Sequence, residues 1–371
     1  MRLAVITHVV HTKKDEHIFG YGPYVREMNM WFAQTTAVVI VAPLSNETPD
    51  TIDLAYKTQK LSLQQIPEIS LKGITNLIKT SIALPGILAK ISRAMHRADH
   101  IHLRCPGNIG LLGCIVQIAF PKKKKTAKYA GNWDPDAKQP WSYKLQKAIL
   151  RNTFLTKNMQ VLVYGDWPNQ TRNIKPFFTA TYPEAETKVT VVKNWSQPYK
   201  AVFVGTMGAN KRPLETVIAV HKSQQLGVDI QLDVYGKGDE TASIEDYIEE
   251  YGLSDSIKLY GNQPAAVVKE AYKNAHFAVL LSKSEGWPKA VAEAMFWGAI
   301  PIATNVSCVS WMLGEGKRGL VVDTEGIDQL PERWSRVLED TEALMVMSEN
   351  AQQWSRQYTT TSFETVIKAL L

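Results

Sequence analysis

Cysteine is scarce in the 371-residue chain: Cys105, Cys114 and Cys308 are its three. An odd count without metal-ligand spacing excludes a disulfide framework and a cysteine-rich zinc module, and suits small buried residues of a reducing compartment. Long apolar runs are missing as well. The longest windows, residues 111–120 and 82–91, fall short of the ~20 residues a membrane-spanning helix needs. Residues 3–10 are a short apolar run with neither the basic leader nor the small-residue cleavage site of a secretion signal. One-sided charge is missing too. The 42 Lys and Arg against 36 Asp and Glu leave +6, too dilute for a generic nucleic-acid binder. The expectation is a cytoplasmic protein without a nucleic-acid partner.

The small excess is unevenly spread. Lys122, Lys123, Lys124 and Lys125 run together, Lys128 follows, and residues 72–97 are basic and nearly free of acids. Residues 71–90 mix aliphatic and basic side chains at roughly helical spacing. That pattern suits a core-packed helix with a solvated lysine face, or a helix resting on anionic lipid. At this length two domains are expected. With 45% hydrophobic and 21% charged residues, each has the apolar material for a core.

Short apolar runs alternate with helical windows almost throughout. Strands are expected at 3–7, 37–42, 100–104, 126–130 and 161–164, then at 201–205, 230–235, 256–260, 277–282, 300–304 and 320–323. Helices are expected at 214–226, 242–251 and 290–297. The strand runs are mostly continuous in Val, Ile, Leu and Ala, as in strands buried on both faces of a parallel sheet. The alternation stumbles between Phe177 and Lys200, where Pro183, Pro198 and a short Val-rich strand at 189–192 put the domain boundary near 194–199. The fold class that follows is α/β: two doubly wound domains, with the ligand-binding carboxyl ends of their strands facing one cleft.

The most informative stretch runs from Ser284 to Thr304. A strand ends, the chain turns through Glu285, Gly286, Trp287 and Pro288, and a helix begins near Lys289 and Ala290. Pro288 suits a first helical position, which leaves nearby amides free for a ligand. Glu293 falls among Val291, Ala292, Ala294 and Met295, and a carboxylate on so apolar a helix needs a cation or ligand hydroxyls as its partner. Earlier, a strand ends at Gly205 and Thr206, and a helix follows Lys211 and Arg212. Backbone amides, a helix N-terminus and these cations can together hold a diphosphate. Gly236 and Gly261 stand in two further strand-ending turns.

Two glutamates eight positions apart, followed by Gly298-Ala-Ile-Pro-Ile-Ala-Thr304, resemble the donor-binding element of retaining GT-B glycosyltransferases of family 4. The resemblance is strong over the second half and diffuse over the first, where it is nearest to transferases of bacterial polysaccharide assembly. It implies two Rossmann-like domains: an acceptor-binding one over 1–196 and a donor-binding one over 197–354. A helix over 355–371 would cross back to the first. It implies transfer of a hexosyl group from a nucleotide-sugar to a glycan or lipid-linked acceptor. The nucleotide-sugar is a co-substrate, and neither cofactor nor metal is expected. The enzyme would work in the cytoplasm, with its basic segments suited to the anionic inner face of the cytoplasmic membrane. Glu293 would bind the ribose. Glu285, with the backbone from Gly286 to Lys289 and Ala290, would hold the donor sugar's hydroxyls, and Lys211 would neutralise the leaving diphosphate. Thr206 stands where the family commonly has arginine, and Arg212 is the candidate to compensate. Gly205, Gly236 and Gly261 would frame the nucleotide.

The first half is harder to read. Gly20 and Gly22 match the place of the family's glycine-rich turn near the donor phosphates, and Gly22-Pro23 also makes an ordinary helix start. The acceptor candidates are His17, Arg104, Asn132, Trp133 and Asp134, with Asn108 beside them. Related enzymes often carry a histidine near Asn132. His8, His11 and His17 are spaced too irregularly for one metal site, and Asp134-Pro-Asp136 reads as a turn rather than as the metal-binding DxD of the other transferase fold. Two rival readings keep the sequence features: a nucleotide-sugar epimerase or hydrolase of the same fold, and a non-catalytic sugar-binding protein. An acceptor that is consumed separates the transferase from both.

Overall fold

The continuous apolar runs become parallel strands, most of them paired on both edges and covered on both faces. In the computed structural model, which describes residues 1–50, 52–69 and 73–371, they fall into two units. One is Met1–Phe178 with Phe363–Leu371, the other Thr179–Ser362. Leu71 and Lys72, at the start of the basic segment, lie outside the described residues.

The first unit runs β1 (Arg2–Ile6), β2 (His11–Lys14), β3 (His17–Tyr21), α1 (Gly22–Phe32), β4 (Ala37–Ser45), β5 (Asp53–Ala55) and β6 (Leu61–Ile66). It continues through α2 (Ile74–Arg97), β7 (His100–Cys105), α3 (Asn108–Val116), β8 (Lys124–Tyr129), α4 (Trp141–Arg151), β9 (Met159–Tyr164) and β10 (Ile174–Phe177). Its parallel core has the order β6-β4-β1-β7-β8-β9-β10, with Ile6 level with Val41 on one side and Leu103 on the other. The right-handed crossover rule puts α2, α3 and α4 on one face and α1 on the opposite one. Packing agrees: Ile87 and Ile91 of α2, Cys114 of α3 and Ile149 of α4 share a buried cluster with Ile6 and Leu103. The alternate residues Arg104 and Lys128 point the other way, to Glu27 of α1.

Several expectations change here. His17 and Gly20 lie in β3, which forms an antiparallel hairpin with β2, so Gly20 is in a strand and not in the expected glycine-rich turn. The polar, short strands β2, β3, β5, β6 and β10 gave no continuous apolar run to find. The lysine run is partly used by the fold, while Lys122 and Lys124 stay exposed. Lys125 is buried and donates to the carbonyls of Gln117 and Phe120, Lys123 caps the carbonyls of His96 and Ala98, and Lys124 reaches that of Leu371.

The second unit runs β11 (Tyr199–Val204), α5 (Pro213–Gln225), β12 (Ile230–Tyr235), α6 (Thr241–Glu250), β13 (Ile257–Gly261), α7 (Ala265–Asn274) and β14 (Phe277–Leu280). Then follow α8 (Lys289–Phe296), β15 (Ile300–Thr304), α9 (Val309–Met312), β16 (Leu320–Val322), α10 (Leu330–Val337) and α11 (Thr341–Ser355). The last helix, α12 (Thr360–Leu370), returns from Phe363 onward to the first unit, where Phe363 packs on Phe177. The six strands are parallel in the order β13-β12-β11-β14-β15-β16, the mononucleotide-fold arrangement with its switch point between β11 and β14.

The units divide after Phe178, upstream of residues 194–199. The intervening segment is tied to the second unit: Tyr182 packs against Phe296 and Trp297, and Lys193 donates to the carbonyls of Tyr272, Lys273 and Ala275 at the end of α7. Residues 189–192 form no strand, and Val192 is 89% exposed.

Candidate functional site

Connections leave β11 and β14 in opposite directions, so the loops after them flank one crevice at the strand carboxyl ends. The two loops are laced together. Lys283 N donates to Asn210 O at 2.8 Å, and Asn210 Nδ2 donates to Ser284 O at 3.0 Å. Between them Lys211 Nζ meets Glu285 Oε1 at 2.5 Å. Glu285 is nearly buried, whereas Lys211 keeps a quarter of its side chain exposed. An ammonium has three N–H donors, so the ion pair leaves Lys211 capacity for phosphate oxygens.

Glycine is required where the neighbouring strand ends crowd together. A Cβ on Gly236 would lie 1.8 Å from Gly205 O, and Gly236 adopts φ +134, which L side chains rarely adopt. Gly205 N donates to Tyr235 O, and Gly236 N to Gly261 O. These three predicted nucleotide-framing glycines therefore also knit the ends of β11, β12 and β13.

The loop from Ser282 to Pro288 is held from several sides. Thr304 Oγ1 donates to Ser282 O at 2.5 Å, and Ser307 Oγ and Cys308 Sγ both reach Gly286 O. Trp287 is buried among Trp311, Trp354 and Tyr358, stacking on Trp354 with ring centroids 6.1 Å apart. Trp287 thus anchors the loop with its side chain. Burial pushes the Cys308 thiol up to about 12, and the Glu285 carboxylate adds to the shift. Pro288 caps α8 at the residue before its first turn, its carbonyl accepting from Ala292 N. The amides of Lys289 and Ala290 then open the helix, where an anion gains from unsatisfied N–H groups.

Glu293 finds the partner its apolar setting demands. Its Oε1 accepts from Thr181 Oγ1 at 2.7 Å and lies 3.4 Å from Lys289 Nζ one turn earlier. Thr181 was not foreseen: it is distant in sequence, and nothing local marks it. Across the crevice Thr206 is exposed. Arg212, in a left-handed conformation at the start of α5, lies 3.7 Å from Glu215 through Nε, while its buried Nη1 has no protein partner. A buried guanidinium donor left open is costly unless a ligand accepts from it.

The first unit has its own switch point, between β1 and β7. His8 follows β1, and a Cβ on Gly107 would lie 2.9 Å from its Nδ1. A cavity of about 270 Å³ opens there, lined among others by His8, Glu68, Asn108 and Tyr143. The five predicted acceptor residues are not among the described residues lining it. His17 is exposed opposite Lys14 on the hairpin. Trp133 is core, 1% exposed, its N–H donating to Gln170. Asn132 and Asp134 accept from backbone amides two residues on, forming turns. Gly22 donates its amide to Ile52 O, and a Cβ there would lie 2.4 Å from that oxygen, so close approach explains this glycine.

Arg104 is buried in an ion network that sequence reading missed. Its Nη1 is 2.6 Å from Glu27 Oε1, and Lys128 Nζ is 2.8 Å from Oε2. Lys128 also lies over the rings of Tyr164, Phe177 and Phe363. Burial pushes the Glu27 carboxyl up, but Arg104 and Lys128 more than offset it and hold it at about 2. His11 is a core histidine: burial lowers it to about 4, and its nitrogens contact Val9 O and Tyr56 Oη.

Residues 186–354 match the family described as Glycosyl transferases group 1. The D-inositol 3-phosphate glycosyltransferase of Paenarthrobacter aurescens is 26% identical over 149 residues, 38% of this chain and 35% of that one. The GDP-mannose:cellobiosyl-diphosphopolyprenol alpha-mannosyltransferase of Xanthomonas oryzae pv. oryzae is 25% identical over 129 residues, 34% of each. These matches span about a third of the relatives' length. Among solved structures, the lipopolysaccharide outer core galactosyltransferase WaaB aligns over 98% of this chain and 97% of its own, with TM-score 0.69 and 15% identity. The sucrose-phosphate synthase of Thermosynechococcus elongatus aligns over 100% and 98%, with TM-score 0.66 and 18% identity. HepE of Anabaena, solved in complex with UDP and glucose, aligns over 99% and 97%, with TM-score 0.66 and 13% identity. The fold is GT-B.

Proposed function

We propose that the protein is a retaining, metal-independent glycosyltransferase of family 4, moving a hexosyl group from a nucleotide-sugar to a glycan or lipid-linked acceptor. The observation that carries this reading is the Lys211–Glu285 pair at the switch point of a mononucleotide-type sheet, in the domain that matches a glycosyltransferase family. Lys211 and Arg212 face the diphosphate. The amides of Lys289 and Ala290 and the Glu285 carboxylate hold the sugar, and Glu293 accepts from the ribose hydroxyls. Breaking the sugar–phosphate bond separates charge, positive at the anomeric carbon and negative on the departing nucleotide. Fixed cations and helix-terminal amides stabilise that nucleotide more in the transition state than in the ground state. Donor and acceptor are the two substrates of this scheme, and the nucleotide-sugar enters it as a co-substrate, not as a bound cofactor.

Relatives named for a diphosphopolyprenol acceptor and for lipopolysaccharide outer core support a role in bacterial surface polysaccharide synthesis, at the inner face of the cytoplasmic membrane. Among the described residues no helix is long and apolar enough to cross a membrane. The test is product analysis. Purified protein is incubated with UDP- and GDP-sugars and a panel of glycan and lipid-linked acceptors, and the product's anomeric configuration is read by NMR. Acceptor-dependent transfer with the donor's anomeric configuration kept is expected. Inverted product would refute retention, and nucleotide release or epimerisation indifferent to acceptor would refute transfer.

A further inference from the structure

The layer formed by α2, α3 and α4 has an unusual charge pattern. Residues 69–98, 100–133 and 137–165, which contain these three helices, hold none of the chain's 36 Asp and Glu residues. Arg104, Lys125 and Lys128 of these segments are buried in the sheet and do not belong to the helical surface, but with them set aside the segments still carry cations alone, against a net acidic remainder of the chain. Topology keeps the layer together: the three helices follow crossovers running in one direction along the sheet, and α3 packs between α2 and α4.

The same layer exposes large apolar side chains. Ile78 is 56% exposed and Ile82 77%, one turn apart on α2. On α4, Trp141 is 65% exposed and Leu145 41%, again four residues apart. Between them, Ile115 and Ile118 are 45% and 36% exposed. Residues at this spacing share one helix face, so α2 and α4 each present an apolar pair, with Ile115 at the end of α3 and Ile118 just beyond it. Exposed cations interleave with them: Lys79 and Arg93 on α2, Lys122 after α3, and Lys144 beside Trp141 and Leu145 on α4. Just beyond α4, Phe154 is 74% exposed with Lys157 Nζ 5.0 Å from its ring centre.

We infer that this helical layer is the surface by which the protein rests on an anionic bilayer. Lys and Arg meet lipid phosphates, while the isoleucines, Trp141 and Leu145 enter the headgroup region. The exposed apolar side chains decide between anionic partners. A nucleic-acid backbone offers phosphates but no apolar depth for isoleucine side chains, whereas a lipid interface offers both. The inference deepens the lipid-linked-acceptor reading and rests on it for its purpose, because an acceptor carried on lipid must be reached at the membrane.

Flotation of the full chain with phosphatidylcholine vesicles, with and without phosphatidylglycerol, tests it. Retention on anionic vesicles at low salt, weakening as salt rises, is expected. Lys144→Glu is expected to lower the partition at least about tenfold, and the double substitution Ile82→Asp with Trp141→Asp to abolish it. These positions are exposed, so melting temperature and calorimetric nucleotide binding should stay at the unsubstituted values. Absence of retention, retention unmoved by either variant, or release by duplex DNA as effective as release by salt would overturn the proposal. Nucleotide binding and transfer to a soluble acceptor are measured without vesicles, so a failure of the transferase reading is seen separately.

Discussion

In the second unit a cation and a carboxylate meet at the strand ends, Lys211 on Glu285, with Arg212 beside them offering an open donor. In the first unit the charges of Glu27, Arg104 and Lys128 meet beneath α1, where little solvent reaches them. Both sheets share the order of a doubly wound fold. One unit places its ions where a ligand can compete for them, and the other places them where only the fold can use them. Charge at the end of a parallel strand is thus ambiguous until its burial is known. Arg104 follows the same strand-end logic as the donor loop and yet is buried against Glu27.

The comparison would break most visibly at Glu27. Glu27→Ala leaves two buried cations without their anion and is expected to cost about 3–5 kcal/mol of stability. A denaturant melt showing a loss below about 1 kcal/mol would mean the network is not structural. The same carboxylate sets a pH dependence. Its folded pKa of about 2 lies below that of an unfolded glutamate, so its contribution is fully present above the unfolded value of about 4.3 and is lost as pH falls toward 2. Melts between pH 6 and pH 2.5 should show that loss, and Glu27→Gln should flatten it.

Glu293→Ala sharpens the other side. Nucleotide affinity is expected to fall about tenfold, roughly 1.4 kcal/mol. An unchanged calorimetric affinity would leave Glu293 as no more than the partner of Lys289 and Thr181. The smallest effect is expected from Thr206→Arg. Thr206 is exposed beside the crevice, so an added guanidinium should tighten diphosphate binding a few-fold, about 0.5–1 kcal/mol at an exposed position. Weaker binding would show that Arg212 already occupies the phosphate position.

How much of this was legible follows the same division. In the second unit β14 and β15 were readable because both their faces are buried, and 300–304 coincides with β15; 230–235 coincides with β12, where Gln231 is exposed and the apolar residues alternate. Glu285 and Glu293 stand out in the sequence because one short loop-and-helix string carries them, and Lys211 because it follows a strand-ending glycine loop. The first unit's network was not, because Glu27, Arg104 and Lys128 are brought together by sheet register and by a helix 77 and 101 residues earlier in the chain. Trp133 was misread for a related reason. Its place after a strand suggested a ligand, but its ring packs edge-on against Tyr129 inside the core. The hairpin of β2 and β3 escaped notice because its polar residues pair beyond the sheet's apolar centre.

The central claim is that Lys211 at the second unit's switch point binds the diphosphate of a nucleotide-sugar. Isothermal titration of the intact chain and of Lys211→Ala with UDP and GDP tests it most directly. One nucleotide should bind the unsubstituted protein. Lys211→Ala should weaken it about tenfold to a hundredfold, the worth of a charge-assisted hydrogen bond of about 1.5–3 kcal/mol. The melting temperature should fall as well, because Glu285, with 8% of its side chain exposed, loses its counter-ion, so both proteins are titrated well below their melting temperatures. Equal affinity in the two proteins, or no binding of either nucleotide, would contradict the account.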